Sequence, residues 1–470
     1  MAKNSLTTAD SPADIAIIGG GVVGCAAARR FALDGARVIL IEKGADILSG
    51  ASKANSAILH TGFDAPPESL ELEAVRAGRR EYLEIHRQLN LPLVETGALV
   101  CAWDDEQAEK LKGIFEQGLS NGIEDLRLLS RDEVLRKAPD LSASIVGAVE
   151  VPGEHVIDPW SAPLAYLLQA IGVGTVVMRG TELVRGRFDG GVWELETSGG
   201  VIYADTVINA AGLHGDTVER RLGLTPEFEI RPRKGQFVVL DKAAARHVST
   251  IILPVPTEIT KGIVVCPTAF GNVLVGPTAE EQESRERATV ETTTLEQLLR
   301  KAVEIVPALE GIPVTATYAG LRPATEKKHY RVRADADRRA ITLGGIRSTG
   351  LSAALGIASH AAQLYRSFSN RAPSPVEQPP LSMPNLAEPF ERDWQRPEHG
   401  EIVCHCELVT RREIEAALEG PLPAGDFGGL RRRTRAGMGR CQGFYCNARL
   451  AEMTACRWKT PLAVEPEGGQ

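Results

Sequence analysis

A chain of 470 residues, 43% hydrophobic and 24% charged, is expected to fold as two or three soluble globular domains. Its formal charge of −8 and pI near 5.7 exclude general nucleic-acid binding, which favours a basic balance. No apolar run reaches the ~18 residues of a membrane-spanning helix, and the polar start "MAKNSLTTADSPAD" lacks a secretory signal's apolar core, so a cytoplasmic setting is expected, with docking to the inner face of a membrane left open.

Residues 1–12 read as a disordered lead. "DIAIIGGGVVGCAAARRFALDGARVILIEKG" (14–44) reads as strand, glycine turn, alanine-rich helix over 22–33 and second strand over 38–41. That is one βαβ unit of a parallel sheet. Leu72, Val75, Leu83 and Ile85 recur at helical spacing within 68–90. Residues 192–212 read as a hairpin turning at "SGG" and closing into a buried strand. Residues 292–309 form a helix stopped by proline, and 340–365 repeat the strand, glycine turn and helix of the N-terminus. Seven prolines then fall within 371–397, a density that forbids helix and sheet and implies a linker or a wrapping arm. A small, cysteine-bearing, arginine-rich segment follows, over about 399–460.

Gly19, Gly21 and Gly24 match G-x-G-x-x-G, and Glu42 ends the second strand 18 residues after Gly24. The first glycine permits the tight turn, the second lets backbone approach a pyrophosphate, and the third allows close helix–sheet packing. The helix N-terminus then offers N–H groups to the anion, and a carboxylate at the strand end can accept from a ribose diol. The motif predicts a dinucleotide and does not choose between FAD and NAD.

Five further segments choose. "GASKANSAILHTGFDA" (50–65), "VINAAGLHGD" (207–216), "RPRKGQFVVL" (231–240), "YAGLRPAT" (318–325) and "GGIRSTGLSAALGIA" (344–358) together resemble the amino-acid-oxidase-type FAD superfamily, within it the branch of glycerol-3-phosphate and 2-hydroxyglutarate dehydrogenases. The resemblance spans about 13–367. It implies an α/β fold in which a discontinuous Rossmann-type FAD domain (13–90, 145–225, 315–367) is interleaved with an antiparallel-sheet substrate domain (91–144, 226–314). It implies FAD contacts from Ser52, Asn55 and Ser56, from Ala211 and Gly212, from Val184 near the adenine, and from Gly345, Gly350, Leu351 and Ser352 at the flavin ring. A helix opening at Gly350 also suits the negative charge of a reduced flavin on physical grounds.

Four of the eight cysteines form a second motif: Cys404-x-Cys406, 34 residues, then Cys441-x₄-Cys446. Close-set cysteines in a reducing compartment bind metal more often than they form disulfides. C-x-C is tight for tetrahedral zinc, whereas four thiolates can reach both irons of a [2Fe–2S] rhomb, each close pair on one side. Structural zinc and free thiols are the alternatives. Arg431, Arg432, Arg433, Arg435 and Arg440 offset a negative cluster, and Gly437, Gly439 and Gly443 allow N–H donation to sulfur. "CHCELVTRREIEAAL" and "GMGRCQGFYC" resemble the bacterioferritin-associated-ferredoxin-like [2Fe–2S] domain, which is small and mostly helical. Cys25, Cys101 and Cys266 read as core packing, and Cys456 is assigned nothing.

The expected reaction is hydride transfer from a small anionic alcohol to flavin N5, with electrons passing singly through the cluster to an acceptor protein or a membrane quinone-reducing subunit. His60 matches a family histidine near the flavin: a base, a ring contact or a covalent anchor. Arg322 matches the anion-binding arginine, and Arg347 a cation beside the flavin. Lys261, Arg231, Arg233 and Lys234 are weaker candidates, and His155, His214 and His329 carry no motif. Asp64 and Ala65 stand where membrane-type glycerol-3-phosphate dehydrogenases carry arginine and tyrosine. That brings 2-hydroxy acids into contention. The other readings are an amine, opine or imino-acid dehydrogenase and a non-catalytic electron-transfer subunit. The basic run at 431–440 suggests a dock for an acidic redox partner.

Overall fold

The computed structural model describes residues 7–256 and 262–462. Lys261 lies outside the described residues. Strand Ala13–Ile18, buried along its length, runs parallel between Val38–Glu42 and Gly200–Asn209. Val176–Arg179 extends the parallel run on one side and Ala340–Gly344 on the other. The long strand Gly200–Asn209 serves twice. Its first half forms the expected hairpin with Trp193–Thr197, and its second half joins the parallel core. Leu183–Phe188 and Arg331–Asp335 complete eight strands. Strands covered on both faces must be apolar throughout, as "IAII" and "VILI" are.

Helices Val22–Leu33, Leu70–Ile85 and Gly350–Phe368 pack together on this sheet. Small residues set their spacing. A Cβ at Gly78 would lie 2.1 Å from the Ser352 carbonyl oxygen, and one at Gly356 would lie 2.1 Å from that of Ala74. The close approach places the start of the last helix against the segment that carries His60.

A second, nine-stranded sheet is mainly antiparallel and has its own core around Val238, Val265, Val273 and Val275. Strands Gly147–Val151 and Val314–Arg322 pair within it. The borders expected at 145 and 315 therefore move, to beyond each strand. An apolar strand pattern does not say which sheet it joins. A three-stranded sheet of Ile58–Leu59, His155–Ile157 and Leu93–Val94 ties the two parts together.

Residues 7–12 are ordered, against expectation: Thr7 is buried and its Oγ1 accepts the Tyr203 N–H at 2.8 Å. The proline-rich stretch wraps. The N–H groups of Ser374, Val376, Met383 and Glu388 donate to the carbonyls of Asp34, Leu33, Leu89 and Ala269. It leads to a small unit with a short hairpin, three helices (Arg411–Leu418, Phe427–Thr434, Asn447–Met453) and a core of Val409, Ile414, Leu430 and Leu450.

Candidate active site and cluster centre

A cavity of about 1020 Å³ lies between the two large sheets. Its nucleotide end is made by Gly19, Gly21 and Glu42. Gly19 sits at φ +112°, where a side chain is strained, and its Cβ would stand 2.5 Å from the Ala210 oxygen. Gly24 does not line the cavity. A Cβ there would stand 1.9 Å from the Gly19 oxygen, so its absence lets the helix close on the turn. No side chain caps the helix at Gly21, and its first N–H, of Val22, reaches Ser52 Oγ at 3.0 Å. Glu42 accepts the N–H groups of Gly20 and Gly44 at 2.6 Å each, which leaves each carboxylate oxygen a second lone pair. A glycine cradle, a helix start whose cap residue is a glycine and an oriented carboxylate fit a dinucleotide.

Ser52, Asn55, Ser56, Ala211, Gly212, Gly345, Gly350 and Leu351 also line the cavity. Besides Gly24, two expected residues do not. Val184 is 50% exposed, while Glu182 and Leu183 line the wall; alternation along a strand turns the next side chain away. Ser352 is buried beneath the site, its Oγ accepting the His60 N–H at 2.8 Å and donating to the Ile58 oxygen at 3.2 Å. It positions the histidine strand.

At the other end His60 lines the cavity, and its Nδ1 meets Glu154 Oε2 at 2.8 Å. Glu154 is fully buried and also accepts the Thr61 N–H at 2.6 Å and the Thr61 hydroxyl at 2.9 Å. A carboxylate only accepts, so Nδ1 carries the ring proton and Nε2 is the acceptor. Sequence alone misses Glu154, which reaches His60 only because Ile58–Leu59 pairs with His155–Ile157. The one available signal is an acidic residue inside the apolar run "VEVPGEHVI".

Arg322 faces the same space from strand Val314–Arg322, opposite Arg233, with Gly235 making room for its guanidinium. Its two terminal nitrogens reach only the Thr278 oxygen, at 3.3 Å each. Among the described residues it has no carboxylate partner. Burial, then the charges of Arg233 and Arg347, push its pKa down to about 10. Arg347 also lines the cavity, its pKa lowered chiefly by burial. Arg233 is held by Glu281 at 3.0 Å, and Lys234 by Glu291 at 2.6 Å and Glu280 at 3.0 Å. Arg231 is exposed beside Glu229. His214 lines the nucleotide end next to Lys43, 3.0 Å away. Neither His155 nor His329 lines the cavity.

In the C-terminal unit none of the four motif cysteines is in a disulfide; Cys404 and Cys446 are buried and Cys406 and Cys441 half-buried. They face each other as Cys404 with Cys446 and Cys406 with Cys441. Each pair takes one cysteine from each half of the motif, not the neighbours in sequence. The Gly437 N–H reaches Cys404 Sγ at 3.5 Å. Hydrogen bonding from Cys446 and from backbone N–H groups lowers the Cys404 pKa to about 6. Gly439 is obligatory: its Cβ would stand 2.5 Å from that of Cys406. Among the described residues no three His, Cys, Asp or Glu side chains converge as a single-ion site. Two thiol pairs with N–H donors fit a diiron cluster. Cys25, Cys101 and Cys266 are core residues whose pKa values burial raises.

The arginines do not form a free patch. Arg433 grips buried Asp46 at 2.5 and 2.9 Å, Arg432 donates to the Ile47 oxygen, and Arg440 pairs with Asp241 at 3.0 Å. Arg435 pairs with buried Glu407 at 2.8 Å, and Arg431 donates to the Gly437 oxygen. The basic run is spent on docking the small unit and closing its own loop.

Fold and site define a flavin-dependent oxidoreductase with an appended iron–sulfur unit. The model of the family DAO, "FAD dependent oxidoreductase", matches residues 14–364, and the chain belongs to that family. A "BFD-like [2Fe-2S] binding domain" matches residues 402–455. FAD and a [2Fe–2S] cluster are its cofactors. The chain is 32% identical over 456 residues to a glycerol 3-phosphate dehydrogenase of Caloramator mitchellensis, covering 94% of each. It is 27% identical over 505 residues to a subunit of the anaerobic glycerol-3-phosphate dehydrogenase of Escherichia coli (strain K12), covering 95% of this chain and 89% of that one. The structure of dithionite-reduced L-alpha-glycerophosphate oxidase from Mycoplasma pneumoniae with FAD bound superposes with a TM-score of 0.75 at 27% identity, covering 80% of this chain and all of that one. Among the described residues no helix is long and apolar enough to cross a membrane.

Proposed function

We propose that the protein is a glycerol 3-phosphate dehydrogenase that passes electrons from FAD through the cluster to an acceptor protein. One observation carries the substrate class: the largely buried Arg322, without a carboxylate partner among the described residues, shares the cavity with Arg347 and Arg233 and with the His60–Glu154 pair. A desolvated, unneutralised guanidinium is a site for an anion. The relatives named for glycerol 3-phosphate support phosphate as that anion.

Bound FAD supplies a hydride acceptor, and the cluster a one-electron carrier. Arg322 and Arg347 hold the anionic end of the substrate. His60 Nε2 takes the hydroxyl proton, while Glu154 fixes the ring's tautomer and neutralises the imidazolium. The apolar walls around Ile58, Phe63 and Val100 keep water from the reacting carbon.

A second reading, oxidation of a 2-hydroxy acid, is favoured by Asp64. This residue lines the cavity in the segment where the resemblance to membrane-type glycerol-3-phosphate dehydrogenases calls for an arginine, so that phosphate anchor is missing there. Anaerobic mixing of the holoenzyme with each compound decides. Rapid flavin bleaching by glycerol 3-phosphate is expected. Bleaching by 2-hydroxyglutarate alone moves the assignment to hydroxy acids, and bleaching by proline or an opine alone moves it to amine oxidation.

The acceptor docks at the cluster loop. Between Cys441 and Cys446, Phe444 is 82% and Tyr445 is 73% exposed, their rings 5.2 Å apart. Exposed aromatic pairs are costly in water and are enriched at interfaces. With the arginines internally engaged, this pair replaces them as the proposed contact. A membrane-bound quinone-reducing subunit is the proposed acceptor. The double variant Phe444→Ser/Tyr445→Ser should weaken transfer to the native acceptor by about 10³-fold, two hot-spot side chains at about 2 kcal/mol each. Substrate bleaching of the flavin should be unchanged. Unaltered acceptor kinetics would move the dock elsewhere.

A further inference from the structure

Three planar groups from three separate parts of the chain stack where those parts meet. Trp160 stands at the start of helix Ser161–Gly172, Phe270 lies in the loop between strands Val264–Pro267 and Val273–Gly276, and Arg435 follows helix Phe427–Thr434. The two rings are stacked, centroids 5.5 Å apart with 10° between planes. The Arg435 guanidinium carbon lies 4.0 Å from the Phe270 centroid. Phe270 is 5% exposed and Arg435 4%.

One end of this stack meets the wall of the cofactor cavity, and the other meets the cluster loop. At one end Trp160 Nε1 donates to the Lys53 oxygen at 3.2 Å, and Lys53 and Pro159 both line the flavin cavity. At the other, Arg435 Nε donates to Glu407 Oε2 at 2.8 Å. Glu407 follows Cys406, one of the four motif cysteines, directly in the chain. From the cavity wall to a cluster thiol every step is a hydrogen bond, a covalent link or a π contact. A junction needing only packing would use aliphatic side chains here. It would not bury an arginine–glutamate pair, whose desolvation costs several kcal/mol per ion. Stacking and cation–π attraction hold the three groups at contact distance, the condition under which electronic overlap between two centres is greatest.

We infer that Trp160, Phe270 and Arg435 form the contact through which electrons leave the flavin site for the cluster. This rests on the proposed flow from flavin to cluster. Each transfer removes one electron from reduced flavin and converts one ferric iron of the cluster to ferrous. A one-electron acceptor protein reoxidises the cluster between transfers, and after two the flavin is oxidised and its N5 proton has gone to solvent.

The test uses holoenzyme whose flavin is reduced by an anaerobic light flash with EDTA as donor. The ferrous–ferric cluster is followed by its EPR signal, so no substrate is needed. In the wild type the cluster signal should rise as the flavin reoxidises. Trp160→Leu and Phe270→Leu should each slow that rise by about tenfold or more, with iron content, flavin content and both midpoint potentials unchanged. Phe270→Tyr, which keeps the ring, should transfer at close to the wild-type rate. Wild-type rates in both leucine variants overturn the inference, as does a slowing that merely tracks a shifted potential. A wild-type cluster that stays oxidised while the flavin is reduced overturns the flow from flavin to cluster itself, a separate and distinguishable result.

Discussion

Glu154→Gln should retain FAD and lose about 10²- to 10⁴-fold in turnover, the span of a general base's contribution. The amide matches the carboxylate in shape, and its oxygen can still accept the Thr61 N–H now bonded at 2.6 Å. Its NH₂ group, however, would face His60 Nδ1, 2.8 Å from the present Oε2. Nδ1 must then accept, the ring proton moves to Nε2, and the atom that takes the substrate proton is blocked. The same substitution of a buried triad carboxylate in a serine protease costs ~10⁴-fold by this tautomer mechanism. A purely structural role for Glu154 predicts a different pattern: lost flavin, a raised KM and a lowered melting temperature. The measurement is therefore the split between kcat and KM, with flavin content as control. Glu154→Asp, which restores an acceptor at a longer reach, should recover part of kcat. Unchanged kcat in the glutamine variant would remove His60 from the proton-transfer role.

The legible parts of this molecule were those whose chemistry is local in the chain. The turn Gly19–Gly24 and the Cys404–Cys446 motif each place their essential atoms within one loop or a pair of loops. Residue type and spacing therefore carry the geometry. The helix Val22–Leu33 and the helix opening at Gly350 were legible because their patterns begin at glycine turns. What was hidden depends on pairing between distant segments. Glu154 is 94 positions from His60, and an acidic residue in an apolar run does not say which partner it meets. The arginines of 431–440 illustrate the same limit. Their charge was plain, but whether they faced a partner or Asp46, nearly four hundred residues upstream, needed the tertiary fold. The sheet that strands Gly147–Val151 and Val314–Arg322 join, and the outward side chain of Val184, lie one level lower. Strand alternation specifies two faces without saying which is covered, or by which sheet.

Arg322 offers the sharpest test of substrate class. Arg322→Ala should lower kcat/KM by about 3 kcal/mol, roughly 10²-fold, the usual cost of truncating one partner of a buried charge pair. Most of the loss should appear in KM, because the anion lies away from the reacting carbon and is held alike in ground and transition states. Arg322→Lys should recover little, since an ammonium cannot offer the planar fork. Arg347→Ala should cost less, because that side chain is more open to solvent and carries less of the desolvated field. The pH dependence gives an independent check. The Arg322 pKa is pushed down to about 10 in the free protein. Below that value the guanidinium is charged and receives the anion; as pH rises through it, the charge and the affinity are lost. Because kcat/KM reports groups of the free enzyme, it should fall with an alkaline limb near pH 10. That limb should be missing in Arg322→Ala. A variant with unchanged KM would place the anion elsewhere, at Lys328 or Arg233 on the same wall. It would also remove the observation on which phosphate, rather than an uncharged alcohol, was chosen.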